Sequence, residues 1–274
     1  MINVFIFSKD RAMQLDLLLR SLRHHNFPHS HLSILYKTTN PSHEAGYSKL
    51  IAKHHRHAGL GDIAWIKESD FRQDFFRILS GFTENYCLGF VDDSVMIRAP
   101  RLDVLIPQYT DDVVCISTRM NKHIHYCHPA KLEIGTPKNF IEETKFLKWD
   151  WTKENPNGEW GYPHAVDSHI YKTAYFKRLV YSIEYTFPND LEGEMNHRRD
   201  PSRPNMVSDL ESCVITIPNN LTQRGFTPHG ENPEFSLSTL NAKFLEGYII
   251  DDSKLYDFPN ETVHQEIPYT LVRE

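Results

Sequence analysis

Two carboxylates side by side, Asp92 and Asp93, interrupt an apolar run that extends from Tyr86 to Ile97. Ionised carboxylates are costly to bury without partners, so a pair at the end of a buried strand calls for a cation, or for a partner that brings one. The chemistry such a pair supports is a metal ion held against a diphosphate. A solvated turn between two strands accounts for the same residues, and the next position, Ser94, is not acidic. A second cluster, His123, His125, Cys127 and His128, falls within six residues. Alternation along a strand would put His123, His125 and Cys127 on one face, as a zinc site needs. No second ligand pair accompanies them, and a histidine-rich surface strand is the simpler reading.

The elements before the carboxylate pair follow a regular rhythm. Ile2 to Phe7 is too apolar for a strand with one solvated face, so both faces are expected to be covered. It ends in Ser8-Lys9-Asp10-Arg11, with Asp10 as the expected N-cap of a helix that buries Ala12, Leu15, Leu18, Leu19 and Leu22. Leu32 to Tyr36 reads as a second strand, followed by a turn and a helix capped by Ser42 and ending near Ala58-Gly59-Leu60-Gly61. Ile63 to Ile66 is a third strand. Asp70 and Gln73 then form a capping-box pair for a helix with Phe71, Phe75, Ile78 and Leu79 inward. Three strand–helix units therefore precede the strand that stops at Asp92-Asp93. Such alternation predicts an α/β fold with a mainly parallel sheet and ligands at the carboxyl ends of its strands.

Beyond Arg98 the rhythm changes. Val113 to Ser117 is a strand, but Thr118 through Pro163 is long, polar and aromatic, with Trp149, Trp151 and Trp160. Long irregular segments of this kind serve as lids or binding loops, and their rings either stack on sugars or pack locally. Further on, His169 to Tyr171 leads into a helix over Ala174 to Val180, and Thr186 to Met195 is a turn entering a short helix. Cys213 to Ile217 is a strand and Ser236 to Gly247 a last helix; the tail after Asp251 is expected to wrap the surface. No repeat or low-complexity linker breaks the chain.

With 274 residues and 40% hydrophobic content, the chain is read as one globular domain. A net charge of −6 without a long basic run argues against nucleic-acid binding. Cys87, Cys115, Cys127 and Cys213 lie far apart, which fits a reducing cytoplasm. The apolar N-terminus is too short to span a membrane and lacks the basic flank of a signal peptide, and no later segment reaches transmembrane length.

Val4-Phe5-Ile6-Phe7-Ser8-Lys9-Asp10-Arg11 with its leucine-rich helix, and the apolar run into Val91-Asp92-Asp93-Ser94, resemble the nucleotide-diphospho-sugar glycosyltransferases of the GT-A fold, family 2-like. The likeness covers the first 120 residues and recurs at Pro188-Asn189-Asp190-Leu191-Glu192 and at Leu240 to Asp251. It implies a Rossmann-like, mixed but mainly parallel sheet flanked by helices. Residues 1–120 would form the nucleotide-sugar half, and 121–274 a loop-rich acceptor half. In that family a strand-end acidic motif, DxD, holds a divalent metal, Mn²⁺ or Mg²⁺, against the diphosphate. Here Ser94 replaces its last aspartate, so the metal falls to Asp93, and Asp92 to the ribose or a supporting contact. His229 is a further metal candidate by the same analogy. The donor pocket would be lined by Ser8, Lys9, Asp10 and Arg11, with Arg11 facing a phosphate, and by Thr38 and Glu68. The general base for an inverting transfer would be Glu192, with Asp190 and Asp167 behind it. Asn189 and Glu192 also have capping-box spacing, which explains Glu192 without chemistry. The implied acceptor is a glycan or glycolipid in polysaccharide biosynthesis, on the cytoplasmic side, with peripheral contact at the inner face of a membrane left open. The alternative is a non-catalytic carbohydrate- or nucleotide-sugar-binding protein of the same fold. A nucleotidyltransferase is disfavoured because no glycine-rich phosphate loop follows the first strand.

Overall fold

The computed structural model describes residues 1–55, 59–137, 140–222 and 232–274. Its first half alternates as expected: β1 (Asn3–Lys9), α1 (Ala12–His24), β2 (His31–Lys37), α2 (Pro41–His55), β3 (Ile63–Lys67), α3 (Phe71–Ser80) and β4 (Tyr86–Val91). Then come β5 (Ser94–Met96), α4 (Leu102–Leu105), β6 (Val113–Ser117), β7 (Tyr126–Cys127), β8 (Leu132–Glu133), β9 (Ile141–Glu142) and β10 (Leu147–Asp150). The remainder comprises β11 (His169–Lys172), α5 (Thr173–Tyr181), α6 (Pro188–His197), β12 (Asn205–Ser208), β13 (Val214–Thr216), α7 (Leu237–Leu245), β14 (Tyr248–Ile250) and β15 (Leu271–Arg273).

Among the described residues nine strands form the central sheet in the order β3-β2-β1-β4-β11-β6-β12-β10-β9. The β3-β2-β1-β4 pairings and β6-β12 are parallel; β11 and β10 run against their neighbours on both sides. The sheet is therefore mixed and mainly parallel in strand direction, and helices cover it: the α/β fold class expected from the sequence. The alternation within β1 explains why both faces are dry. Val4 and Ile6 pack with Leu15, Leu18 and Leu22 of α1, while Phe5 and Phe7 point the other way into a cluster with Phe71, Phe75 and Phe176. At Asp92-Asp93 the chain leaves the central sheet, and β5 pairs instead with β13 in a separate antiparallel ribbon. The two carboxylates thus sit on the bend between two sheets.

Several local expectations need correcting. Asp10 does not cap α1. It takes a left-handed backbone (φ 58°), and its carboxylate accepts from Thr39 N and Thr39 Oγ1, both at 2.8 Å, tying the end of β1 to the loop after β2. Helix α2 is capped by Asn40, whose Oδ1 accepts from His43 N at 3.0 Å, and not by Ser42. Asp70 caps α3 through Gln73 N at 2.9 Å, but the return bonds end on Asp74, which accepts from Ser69 N and Asp70 N. The tryptophans of 118–163 are core. Trp149 and Trp160 meet edge to face at 5.0 Å, with Trp149 Nε1 donating to the Trp160 carbonyl, and Trp151 Nε1 donates to Arg203 O. Their burial removes them as platforms for a sugar.

The histidine-rich segment forms only the two-residue strand β7, with His125 exposed beside Glu261 and Cys127 buried against Glu159. Among the described residues no three His, Cys, Asp or Glu side chains converge as metal ligands. The tail does more than wrap the surface. Leu255, Asn260, Val263 and Tyr269 are buried, and the backbone around His264 pairs with Thr216 at the end of β13. Among the described residues no helix is long and apolar enough to cross a membrane.

Candidate active site

A cavity of about 1350 Å³ opens at the carboxyl ends of β1, β2 and β4. Ser8, Lys9, Arg11, Glu68, Asp92 and Asp93 stand in its wall. Asp10 and Thr38 do not: Asp10 is buried on Thr39, and Thr38 Oγ1 donates to Glu44. Glu68, at the mouth, receives Lys37 Nζ at 2.6 Å.

The carboxylate pair has its cation within the chain. Arg11 Nη1 reaches Asp92 Oδ1 at 2.9 Å and Asp93 Oδ2 at 2.7 Å, while Nε and Nη2 are held by the side chain and carbonyl of Asn220. The fork expected to face a phosphate is thus committed to Asp92, Asp93 and Asn220. Asp92 also accepts from Ser8 Oγ at 2.9 Å and Lys9 N at 2.8 Å, so both of its oxygens are used. Burial pushes Asp93 up to about 6, with Asp92 and Asp167 adding to the effect and Arg11 opposing it. Arg11 itself is held above its ordinary value: burial lowers it, but two carboxylates act in the other direction.

These residues fit a divalent ion of the Mn²⁺ or Mg²⁺ type in one way only. Asp93 Oδ1 accepts no hydrogen bond among the described residues, and Asp93 is in the cavity wall. One carboxylate oxygen together with diphosphate and water oxygens is a ligand set such ions accept. His229 lies outside the described residues.

The same cavity is lined by Glu192 of α6. The capping box does not form, because α6 starts with Pro188 at its first turn and Phe187 as N-cap. Glu192 instead turns into the cavity, where Oε1 accepts from the Tyr162 hydroxyl at 3.0 Å and Oε2 from Val166 N at 2.8 Å. Burial raises its pKa above the ordinary value, with Arg119 and the two hydrogen bonds resisting and Asp167 adding. Asp190 points away, accepting from Thr186 N and Oγ1 at the exposed helix start, and is not in the cavity wall. Asp167 is in the wall, but its oxygens accept from Ser94 Oγ (2.8 Å), Ser168 Oγ (2.7 Å) and Thr216 Oγ1 (2.8 Å). Ser94, which departs from an acidic motif in sequence, therefore anchors an aspartate from elsewhere in the chain.

The cavity also contains residues that the sequence reading did not single out: Asn220, Arg119, Glu159, Tyr162 and His264. Arg119 could have been found by the rule that exposed Asp92, since it follows the carboxyl end of a strand, β6. The others come from loops and the tail, where spacing carries no signal.

No family model matches the chain. Over 188 residues, 62% of this chain, it is 25% identical to the bifunctional glycosyltransferase pgtA of Dictyostelium discoideum. The match spans 24% of that relative, about a quarter of its length. Among solved structures the chain is similar to S. aureus TarS 1–349 in complex with UDP-GlcNAc, at 12% identity and a TM-score of 0.49 over 85% of this chain and 63% of that one. A cytidylyltransferase from Leptospira borgpetersenii gives 10% identity and a TM-score of 0.36 over 73% of each chain.

Proposed function

We propose that this chain is a glycosyltransferase that moves a sugar from a nucleotide-diphosphate donor to a hydroxyl of a glycan or glycolipid. The observation that carries the reading is one cavity walled by Arg11, Asp92 and Asp93 at the strand ends and also by a doubly held Glu192 with a raised pKa. The 25% identity to a bifunctional glycosyltransferase supports the transferase class. On this reading the nucleotide lies over the ends of β1 and β2, beside Ser8, Lys9 and Glu68. Asp92-Asp93-Ser94 acts as a shortened DxD-type motif in which Asp93 holds Mn²⁺ or Mg²⁺. The ion, when bound, offsets the charge of the leaving diphosphate. Glu192 takes the proton of the acceptor hydroxyl, its remaining lone pairs facing the cavity while Tyr162 and Val166 fix its orientation. Four free, buried cysteines support a reducing compartment such as the cytoplasm.

The test is thermal stabilisation by UDP, GDP, CDP and dTDP sugars, with and without Mn²⁺. A donor at ~100 times its dissociation constant adds about 2.7 kcal/mol to stability. One nucleotide is expected to stabilise the protein in the presence of Mn²⁺, and Asp93→Asn to lose the Mn²⁺-dependent part. Absence of any shift across the whole set overturns the reading.

A further inference from the structure

Among the described residues the Arg119 guanidinium has carboxylates near it but no hydrogen-bond acceptor. It is 4% exposed and stands in the cavity wall. Its nearest acidic oxygens are Glu159 Oε2 at 3.5 Å and Asp167 Oδ2 at 3.9 Å, an attraction outside hydrogen-bonding geometry. Nε is fully buried with no partner, and no guanidinium N–H of Arg119 donates a hydrogen bond among the described residues. A guanidinium carries five donors, and leaving them unmade in a buried setting is costly. The cost is recovered where a ligand brings oxygens to them.

The chain leading into Arg119 and the Glu159 beside it are firmly placed. Thr118 N and Oγ1 both donate to Ser168 O at 2.9 Å, and Cys213 N donates to Thr118 O at 2.7 Å, so the backbone before Arg119 is fixed. Glu159 is turned toward it from the short turn Glu159–Gly161, with its other oxygen 3.3 Å from His264 Nδ1 and 3.7 Å from Cys127 Sγ. Burial alone would raise Glu159, but Arg119 and His264 together hold it at about 2, so it is an ionised acceptor.

The charge around this point selects the ligand. Arg119 faces Glu159, Asp167 and Glu192, and His264 faces Glu159. One guanidinium among three carboxylates leaves no surplus positive charge for an anion. A hydroxyl suits both sides, since it accepts from the guanidinium and donates to the carboxylate. Two neighbouring hydroxyls match the side-by-side donors of the fork. We propose that Arg119 and Glu159 clamp a vicinal diol of a neutral sugar, the sugar carried by the nucleotide donor. This rests on the glycosyltransferase reading and narrows it to neutral sugars, excluding uronates.

The experiment compares, by calorimetry with Mn²⁺ present, the affinity of each free nucleoside diphosphate with that of its neutral hexose and its uronate derivative. For the nucleotide that binds, the neutral hexose is expected to gain at least about tenfold over the free diphosphate, ~1.4 kcal/mol, and the uronate to gain nothing. Arg119→Met abolishes that gain and leaves free-diphosphate affinity unchanged. Arg119→Lys keeps the charge among the carboxylates, so its melting temperature stays near that of the parent, yet without the fork it loses most of the gain. Equal affinity of hexose and free diphosphate, a full gain surviving in Arg119→Lys, or a uronate bound as well as the hexose each overturns the clamp while the nucleotide reading stands. Failure of every nucleotide to bind overturns both.

Discussion

A carboxylate that is to accept a proton near neutral pH has to be drawn out of water without being left unpaired, and Glu192 meets both conditions. Tyr162 and Val166 N supply one hydrogen bond to each oxygen, and burial still leaves its pKa raised. Glu192→Gln removes the basic oxygen while keeping the shape. Transfer is expected to fall by about 10²–10⁴-fold, with donor affinity unchanged. On the proposed role, the parent is expected to lose activity as pH falls through the raised value, because the base must be ionised. Stability has the opposite sign. A group whose folded pKa is raised contributes stability below its unfolded pKa and loses it as pH rises through the folded one. Glu192→Gln is therefore expected to stabilise the protein more at mildly alkaline than at acidic pH, measured by urea denaturation. A stability loss at both would assign Glu192 a structural role instead.

Strands and helices position these groups through close backbone approach, and Gly89 in β4 is one such point. A Cβ there would lie 2.1 Å from Val166 O and 2.4 Å from the Phe5 ring. The segment cannot retreat, since Ser168 N donates to Gly89 O at 2.7 Å. Gly89→Ala is expected to cost about 3 kcal/mol, the upper end of overpacking, and to reduce transfer as well, because Val166 orients Glu192 and Asp167 lies next in sequence. Urea denaturation and turnover check the two effects separately. At this scale the sequence was most readable where one period governed a whole element. β1, β2 and β4 are buried through their middles, β3 is a half-exposed edge strand, and the helices between them carry apolar spacing, so the order β-α-β-α-β-α-β and the strand ends at Ser8, Arg11, Asp92 and Asp93 could be derived. Segment 118–163 and the tail combine very short strands with side-chain bonds such as Trp149 Nε1 to Trp160 O, which leave no periodic trace. The same applies to the site: Arg11 and Asn220 meet across 209 residues, a separation that no local pattern reports. Trp149, Trp151 and Trp160 look alike in sequence whether they stack on a ligand or on one another, and only their burial separates the two uses.

At the scale of the molecule, burial of titratable groups decides how it meets mild acid, and the groups oppose one another. His164 and His169 are fully buried and His54 largely so, and burial lowers all three. Asp93 and Glu192 are raised, again by burial. For a histidine held below its ordinary value, the unfolded chain takes up the proton first. Its contribution is therefore complete above the unfolded pKa and lost as pH falls toward the folded one. His164, held at about 4 against an ordinary 6.5, accounts for up to about 3 kcal/mol over that window. The two raised carboxylates act in the reverse direction, favouring the folded state as acid is added. Among the described residues the histidines are deeper and more numerous, so stability is expected to fall from pH ~7.5 to pH ~5 in urea denaturation. His164→Gln should flatten part of that slope, since Gln cannot take the proton that drives it. A protein more stable at the lower pH would mean that the carboxylates around the cavity, not the buried imidazoles, set its acid response.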